Sequence, residues 1–189
     1  MAKRRSKKVV KKVDLVQRLR KALAQRTKDE LLDILVELAD ENRRLLRRLA
    51  AQVELESSPE EIVAATRQAI ADATYFDKRD INYNFDYDHE AYAEVKRNLG
   101  RLIDSGDLRS AMELSLELMK QGSYQVEMSD EGLMTQEIEE CIAALVQALK
   151  KSDLPPNQVV AWCAAMTKND RVGFIYDGEL AALQKHFAK

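Results

Sequence analysis

The sequence predicts an all-α protein of about eight helices. Two features of the composition support this fold class. The 189 residues include only 6 Gly and 3 Pro, too few for the many tight turns of a β-sandwich or barrel. Leu, Ala, Glu, Lys, Arg and Gln, all good helix formers, dominate the chain. Since 46% of the residues are hydrophobic, the chain can also bury a core, which argues against wholesale disorder.

The first predicted helices lie in residues 13–76, the N-terminal helical part. Apolar residues at helical spacing define an amphipathic helix over 13–26. Thr27 and Glu30 have the spacing of a capping box, so a second helix should begin there and run to about Asp40. A third helix follows it, and together they favour an antiparallel pair.

Ser58 and Pro59 indicate the next helix start. Serine is a preferred N-cap, and proline suits the first helical position because its missing N–H would have no partner there. The apolar spacing that follows predicts a helix to about Phe76.

The segment 77–88 breaks the helical pattern and alternates polar with apolar residues. We interpret it as an extended acidic and aromatic loop between the N-terminal part, 13–76, and a C-terminal part, 89–189, of one compact domain. Its oxygen-bearing side chains resemble those of a calcium-binding loop. However, Phe85 stands where such a loop needs Gly and Ala91 where it needs Glu, so no metal site is predicted.

The C-terminal part is predicted to hold the remaining helices. Gly106 should close one helix and Asp107 should cap the next. The predicted helices are 89–105, 108–120 (ended by Gly122 and Ser123), 129 or 130 to 151, about 156–169, and a last helix capped by Asp177. The whole is expected to form antiparallel hairpins in a stack or bundle that resembles a degenerate HEAT or TPR repeat.

The charge distribution is uneven. The chain carries a net charge of −2, but residues 1–12 hold seven basic residues and no acid, which leaves −9 for the rest. Such a run repels itself, so a disordered basic leader is expected, either a solubilising end or a tail for an anionic partner. The basic residues are Lys3, Arg4, Arg5, Lys7, Lys8, Lys11 and Lys12.

A second basic concentration comprises Arg43, Arg44, Arg47 and Arg48, which are paired at i,i+4 spacing on one helix face. With the leader, these arginines are candidate nucleic-acid contacts. The alternative is a solvated face that pairs with nearby acids.

Most of the aromatic residues cluster around the predicted loop. Aromatic side chains beside polar groups are enriched at protein interfaces. The candidate protein interface is therefore Tyr75, Tyr83, Phe85, Tyr87 and Tyr92. The alternative is that these rings pack on the helices.

The sequence offers no catalytic or cofactor motif. The two histidines and two cysteines have no zinc-ligand spacing, and no Gly-x-Gly occurs. Cys141 and Cys163 lie in apolar helical patterns and are expected to be inert, reduced thiols in the cytoplasm. No apolar run approaches the length of a membrane span. We therefore expect no enzyme, no cofactor and no membrane span; the alternative is an unrecognised enzyme whose site is assembled from scattered acidic residues.

Four stretches of the sequence resemble a family. They are TKDELLDILVELADENRRLLRRL (27–49), LIDSGDLRSAMELSLEL (102–118), the acidic Gly turn 129–132, and Trp162 followed by Asp170, Gly173 and Phe174.

These stretches are similar to a helical region of unknown function in bacterial proteins that carry a SWIM-type zinc finger, downstream of the finger. The Cys-x-Cys and Cys-x-His of the finger itself are absent from this sequence. The resemblance implies an α-helical adaptor region, and it carries over no catalytic residue.

These observations predict a non-enzymatic scaffold or adaptor module that binds a protein partner. The alternative is a nucleic-acid-associated accessory protein that uses the basic N-terminus and the arginines of 43–48.

Overall fold

The structure, a computed structural model, describes residues 15–52, 58–79, 87–130, 132 and 134–188. Within these ranges the chain forms nine helices and no strand. The predicted all-α fold class is confirmed.

The helices follow one another through mostly short connections. None of those in the described ranges combines the length and the hydropathy that a membrane crossing requires. Their bounds are α1 (15–23), α2 (Lys28–Glu41), α3 (Arg43–Gln52), α4 (Pro59–Ala73), α5 (His89–Asp104), α6 (Leu108–Met128), α7 (Thr135–Leu149), α8 (Pro156–Asn169) and α9 (Asp177–Phe187).

The chain divides into two compact units, Met1–Gln52 and Val53–Lys189. Helices α1 to α3 belong to the first unit and α4 to α9 to the second. This division differs from the predicted grouping into 13–76 and 89–189, because α4 packs on α5 and α6 and thereby joins the second unit. The predicted basic leader, 1–12, lies outside the described residues.

Helices α2 and α3 of the first unit pack against each other. The predicted capping box at the start of α2 is confirmed: the Glu30 N–H donates to Thr27 Oγ1 at 3.2 Å, and the Thr27 N–H donates to Glu30 Oε2 at 2.8 Å. The N–H bond from Thr27, followed by the contact with Arg26, lowers the pKa of the Glu30 carboxyl. Among residues 15–50, only Ala39 and Arg47 are buried, so this unit has almost no core of its own.

The second unit has a continuous hydrophobic core. Helices α5, α6 and α7 pack against one another at its centre, α4 covers α5 and α6, α8 packs on α6, and α9 packs on α8 and α7. Large side chains from the three central helices are completely buried there, among them Leu99, Leu118 and Ile142. The second unit therefore buries the apolar faces of its helices within itself.

Helix α6 runs to Met128, so the predicted end at Lys120 was wrong. Gly122 does not end the helix; it lies inside α6, where Ile138 of α7 packs against it. A Cβ atom at this position would meet Ile138 Cδ1 at 2.7 Å, which is closer than non-bonded carbons approach. Ser123, the other predicted terminator, instead donates its hydroxyl to the Asn169 carbonyl at 2.9 Å.

Other helix boundaries also differ from the predicted positions, and α1 ends at residue 23 and does not reach Arg26. Helix α4 ends at Ala73 and does not reach Phe76. Helix α7 begins at Thr135 and not at 129–130, because Gly132 adopts a left-handed backbone conformation (φ 59°) that interrupts the helix.

The predicted turn before α6 is confirmed, since Gly106 has a φ of 84° and Asp107 caps the helix. The predicted cap of α9 was wrong. Asp177 is the first residue of the helix, and the preceding Tyr176 takes the left-handed conformation (φ 57°) without a side-chain cap bond.

Candidate interaction surfaces

The first unit exposes most of its large apolar side chains. Eight of them are 44–67% exposed. Together, their exposed fractions equal about four whole side chains. We call this set the N-terminal apolar surface: Leu15, Val16 and Leu19 on α1, Leu32, Leu35, Val36 and Leu38 on α2, and Leu46 on α3.

The second unit differs sharply from the first in this respect. Among its described residues, only Tyr75 and Phe174 are large hydrophobics that remain exposed. Single exposed apolar residues are ordinary, whereas a concentration of them marks an interaction site. The N-terminal apolar surface is therefore the main apolar feature of the described chain.

Helices α2 and α3 of the first unit carry opposite charges. Helix α2 has six acidic residues and one lysine, whereas α3 has four arginines and no acid. Arg43, Arg44 and Arg48 of the predicted basic face are exposed, while Arg47 is buried to 9% exposure. The other half of the predicted nucleic-acid contact, the basic leader, lies outside the described residues.

The predicted aromatic interface does not form a single exposed surface. Tyr75 is 74% exposed, but Tyr92 is completely buried and Tyr87 packs edge-on against it with ring centroids 5.9 Å apart. Tyr92 is therefore a core residue and is not available to a partner. Tyr83 and Phe85 lie outside the described residues.

Tyr92 belongs to a buried polar network that holds the end of α4 against α6. Its hydroxyl donates to Gln125 Oε1 at 2.8 Å, and Gln125 Nε2 donates to the Ala73 carbonyl at 3.1 Å and to the Tyr75 carbonyl at 3.5 Å. Burial raises the pKa of the Tyr92 hydroxyl, which therefore stays a neutral donor. The network fixes the backbone from which Tyr75 and Phe76 project.

A groove with a volume of about 440 Å³ lies beside this network. Its walls come from the end of α4 and the residues after it, from α6, and from the loop that follows α8. The lining residues are Ala71, Thr74, Tyr75, Phe76, Lys78, Lys120, Gln121, Tyr124 and Arg171.

Tyr124 contacts three other residues that line the groove. Its ring lies 5.5 Å from the Phe76 ring, 5.5 Å from Lys78 Nζ and 4.7 Å from the Arg171 guanidinium. Arg171 also forms an ion pair with Glu127. These contacts are cation–π and tilted aromatic arrangements, which hold the ring in place.

The loop that carries Arg171 is held by the carboxylate of Asp170. Its two oxygens accept from the Val172 N–H at 3.0 Å and from the Ile175 N–H at 2.8 Å. Sequence reasoning missed the groove because its walls are about 50 residues apart along the chain. No local spacing connects Phe76, Tyr124 and Arg171.

The cysteines lie in the core, as expected. Burial raises the pKa of Cys141 to about 12 and that of Cys163 to about 11, so both thiols stay protonated at neutral pH. In the described part of the chain, no group of three or more His, Cys, Asp or Glu residues is placed to hold a metal ion.

Comparisons with known proteins found no similar protein. No family model matches the chain, no curated protein is significantly similar to it, and no solved structure matches it. The resemblance to the SWIM-associated helical region therefore stays a prediction.

Proposed function

We propose that the protein is a non-enzymatic helical interaction module, and that its first unit binds a protein partner through the N-terminal apolar surface. The observation that carries the proposal is the exposure of this surface in a unit with almost no core. Helical segments of about 40 residues rarely fold alone and are usually stabilised by oligomerisation, disulfides or metals. The two free, buried cysteines are consistent with action in the cytoplasm.

The exposed apolar area is large enough to drive association. Full burial of one large aliphatic side chain is worth about 1.5–3 kcal/mol. The N-terminal apolar surface leaves about four such side chains uncovered, so covering it would contribute about 6–12 kcal/mol per chain before the cost of association.

The charges of the first unit favour a second copy of this chain as the partner. An isologous pair places the same surface of two copies face to face. The acidic α2 of each copy would then contact the basic α3 of the other, so the symmetry forms this contact twice. Opposite charges around an apolar centre match the usual arrangement of an interface.

Sedimentation velocity of the full chain over a range of micromolar concentrations tests this proposal. We expect a concentration-dependent dimer in the wild type. The triple variant Leu32→Ser, Leu35→Ser, Val36→Ser removes exposed side chains worth about 2–5 kcal/mol per chain, so its dissociation constant should rise at least about 50-fold. Phe174→Ser is the matched control, because Phe174 is 54% exposed but lies in the second unit.

Two charge-reversal variants test whether α2 of one copy faces α3 of the other. Arg44→Glu with Arg48→Glu places acidic side chains on α3 as well as on α2, and Asp33→Arg with Glu37→Arg places arginines on α2 as well as on α3. Each variant alone should dissociate, and their equimolar mixture should form a heterodimer. A wild-type chain that stays monomeric at all concentrations, or a triple variant that associates like the Phe174→Ser control, would contradict self-association.

Nucleic-acid binding is the second candidate function. It is favoured by the acid-free α3, on which Arg43, Arg44 and Arg48 are exposed. Binding of a labelled duplex, measured by fluorescence anisotropy, should then weaken steeply with salt and with Arg44→Glu, Arg48→Glu. The two candidates separate because a duplex binder should tolerate the Leu32, Leu35 and Val36 substitutions.

A further inference from the structure

We infer that the groove around Tyr124 in the second unit is a docking site for an acidic peptide segment of a partner protein that carries an aromatic or aliphatic anchor residue. This inference is independent of the proposed association of the first unit, because every described residue that lines the groove belongs to the second unit.

The charge of the groove is the first argument. Three cations, Lys78, Lys120 and Arg171, come from three separate segments, and no acidic residue is among the described residues that line the groove. Within the part of the chain that the structure describes, Lys78 and Lys120 form no ion pair. The body of the protein, 13–189, carries a net charge of −9, so this groove is a local concentration of positive charge on an acidic molecule. Carboxylates are the complementary groups.

The aromatic wall is the second argument. Tyr75 is 74% exposed although its backbone carbonyl accepts a hydrogen bond from the buried Gln125. A rigid backbone therefore presents a free aromatic ring beside the charged groups. Rigid aromatic side chains at low entropic cost are typical anchors of protein-binding surfaces.

The geometry of the site favours a peptide over a small molecule. A site for a small ligand usually encloses most of the ligand's surface. Here Tyr75 and the two lysines are exposed, so the groove is open along the surface and suits an extended segment. The packing of Tyr124 against Phe76 and Arg171 fixes the floor before a ligand arrives, which lowers the cost of ordering on binding.

Selection from a phage-displayed library of random dodecapeptides on the immobilised full-length protein tests the inference. We expect the selected peptides to be enriched in Asp and Glu around one aromatic or aliphatic residue. Synthetic fluorescein-labelled copies of the selected peptides then serve as probes in anisotropy titrations. Their affinity should fall as salt rises, because charge pairs hold them.

Substitutions in the groove test whether the selected peptides bind there. Lys78→Glu with Lys120→Glu, and separately Tyr75→Ala, should each raise the dissociation constant of the probes at least tenfold. All three side chains are exposed, so these changes leave the core intact. The matched control is Lys151→Glu with Lys185→Glu, which makes the same charge change at exposed lysines outside the groove and should have little effect.

Several results would overturn the inference. They are a selection that yields no binder or only neutral and basic peptides, probes whose affinity is unchanged by the groove variants, and probes weakened equally by the control. A fluorescein-labelled dT12 oligonucleotide is the competing ligand. If it binds more tightly than every selected peptide and loses that binding in the groove variants, the site takes a phosphate chain and the peptide assignment is wrong.

Discussion

Replacing Gln125 by Leu tests whether the buried network holds the second unit together. Leu has a similar volume but cannot accept from Tyr92 or donate to the Ala73 carbonyl. Each buried polar group left without a partner costs about 1–3 kcal/mol, offset in part by the added apolar burial. We expect Gln125→Leu to lower the free energy of unfolding by about 2–4 kcal/mol.

Urea unfolding followed by circular dichroism and by Trp162 fluorescence measures this loss. Trp162 is the chain's single tryptophan, and its Nε1–H donates to the buried Met112 carbonyl at 3.0 Å, so its emission reports on the second unit.

The decisive step is a second substitution, Tyr92→Phe. On its own it should destabilise by about 1–2 kcal/mol, because it leaves Gln125 Oε1 without its donor. In the Gln125→Leu background it removes the orphaned hydroxyl, and we expect it to restore about 1 kcal/mol. Additive losses in the double variant, or a Gln125→Leu protein within about 0.5 kcal/mol of the wild type, would refute the reasoning.

Two further predictions concern the core. Gly122→Ala should lower the free energy of unfolding, measured in urea, by about 1–2 kcal/mol, because the clash with Ile138 outweighs the gain of about 1 kcal/mol in helix propensity. In an Ile138→Val background, which lacks Cδ1, the same substitution should stabilise the protein. Cys141 and Cys163 should react slowly with a thiol reagent near pH 8 in the native protein and fast in guanidinium. Their pKa values are raised to about 12 and 11 in the folded protein. When the pH is above the ordinary thiol pKa of about 8.5, unfolding therefore releases protons. Stability should therefore fall as pH rises from about 9 to 11, by up to about 1.4 kcal/mol per pH unit for each thiol, and fast native labelling would contradict their burial.

The starts of α2, α4 and α6 could be predicted because the interactions that fix them are local. The capping box of Thr27 and Glu30, and the caps of Ser58 and Asp107, each join residues three positions apart. A pattern that short is visible in the sequence itself.

The end of α6 could not be predicted because a distant residue decides it. Glycine commonly ends a helix, but Gly122 lies within α6. It leaves the space that Ile138 of α7 occupies. The same limit applies to the groove, whose aromatic and cationic walls meet only after α4, α6 and the loop after α8 have packed.

The leucines of α2 show what periodicity alone leaves undecided. Apolar residues at 31, 32, 34, 35, 36 and 38 cover an arc of about 200° at 100° per residue, whereas a helix that packs on one side needs an apolar stripe of about 100°. The spacing predicts a helix equally well whether one side or two sides are covered. In the first unit α3 packs on α2, and Leu32, Leu35 and Val36 stay exposed. The width of the stripe, more than its presence, is therefore the property of the sequence on which the proposed association rests.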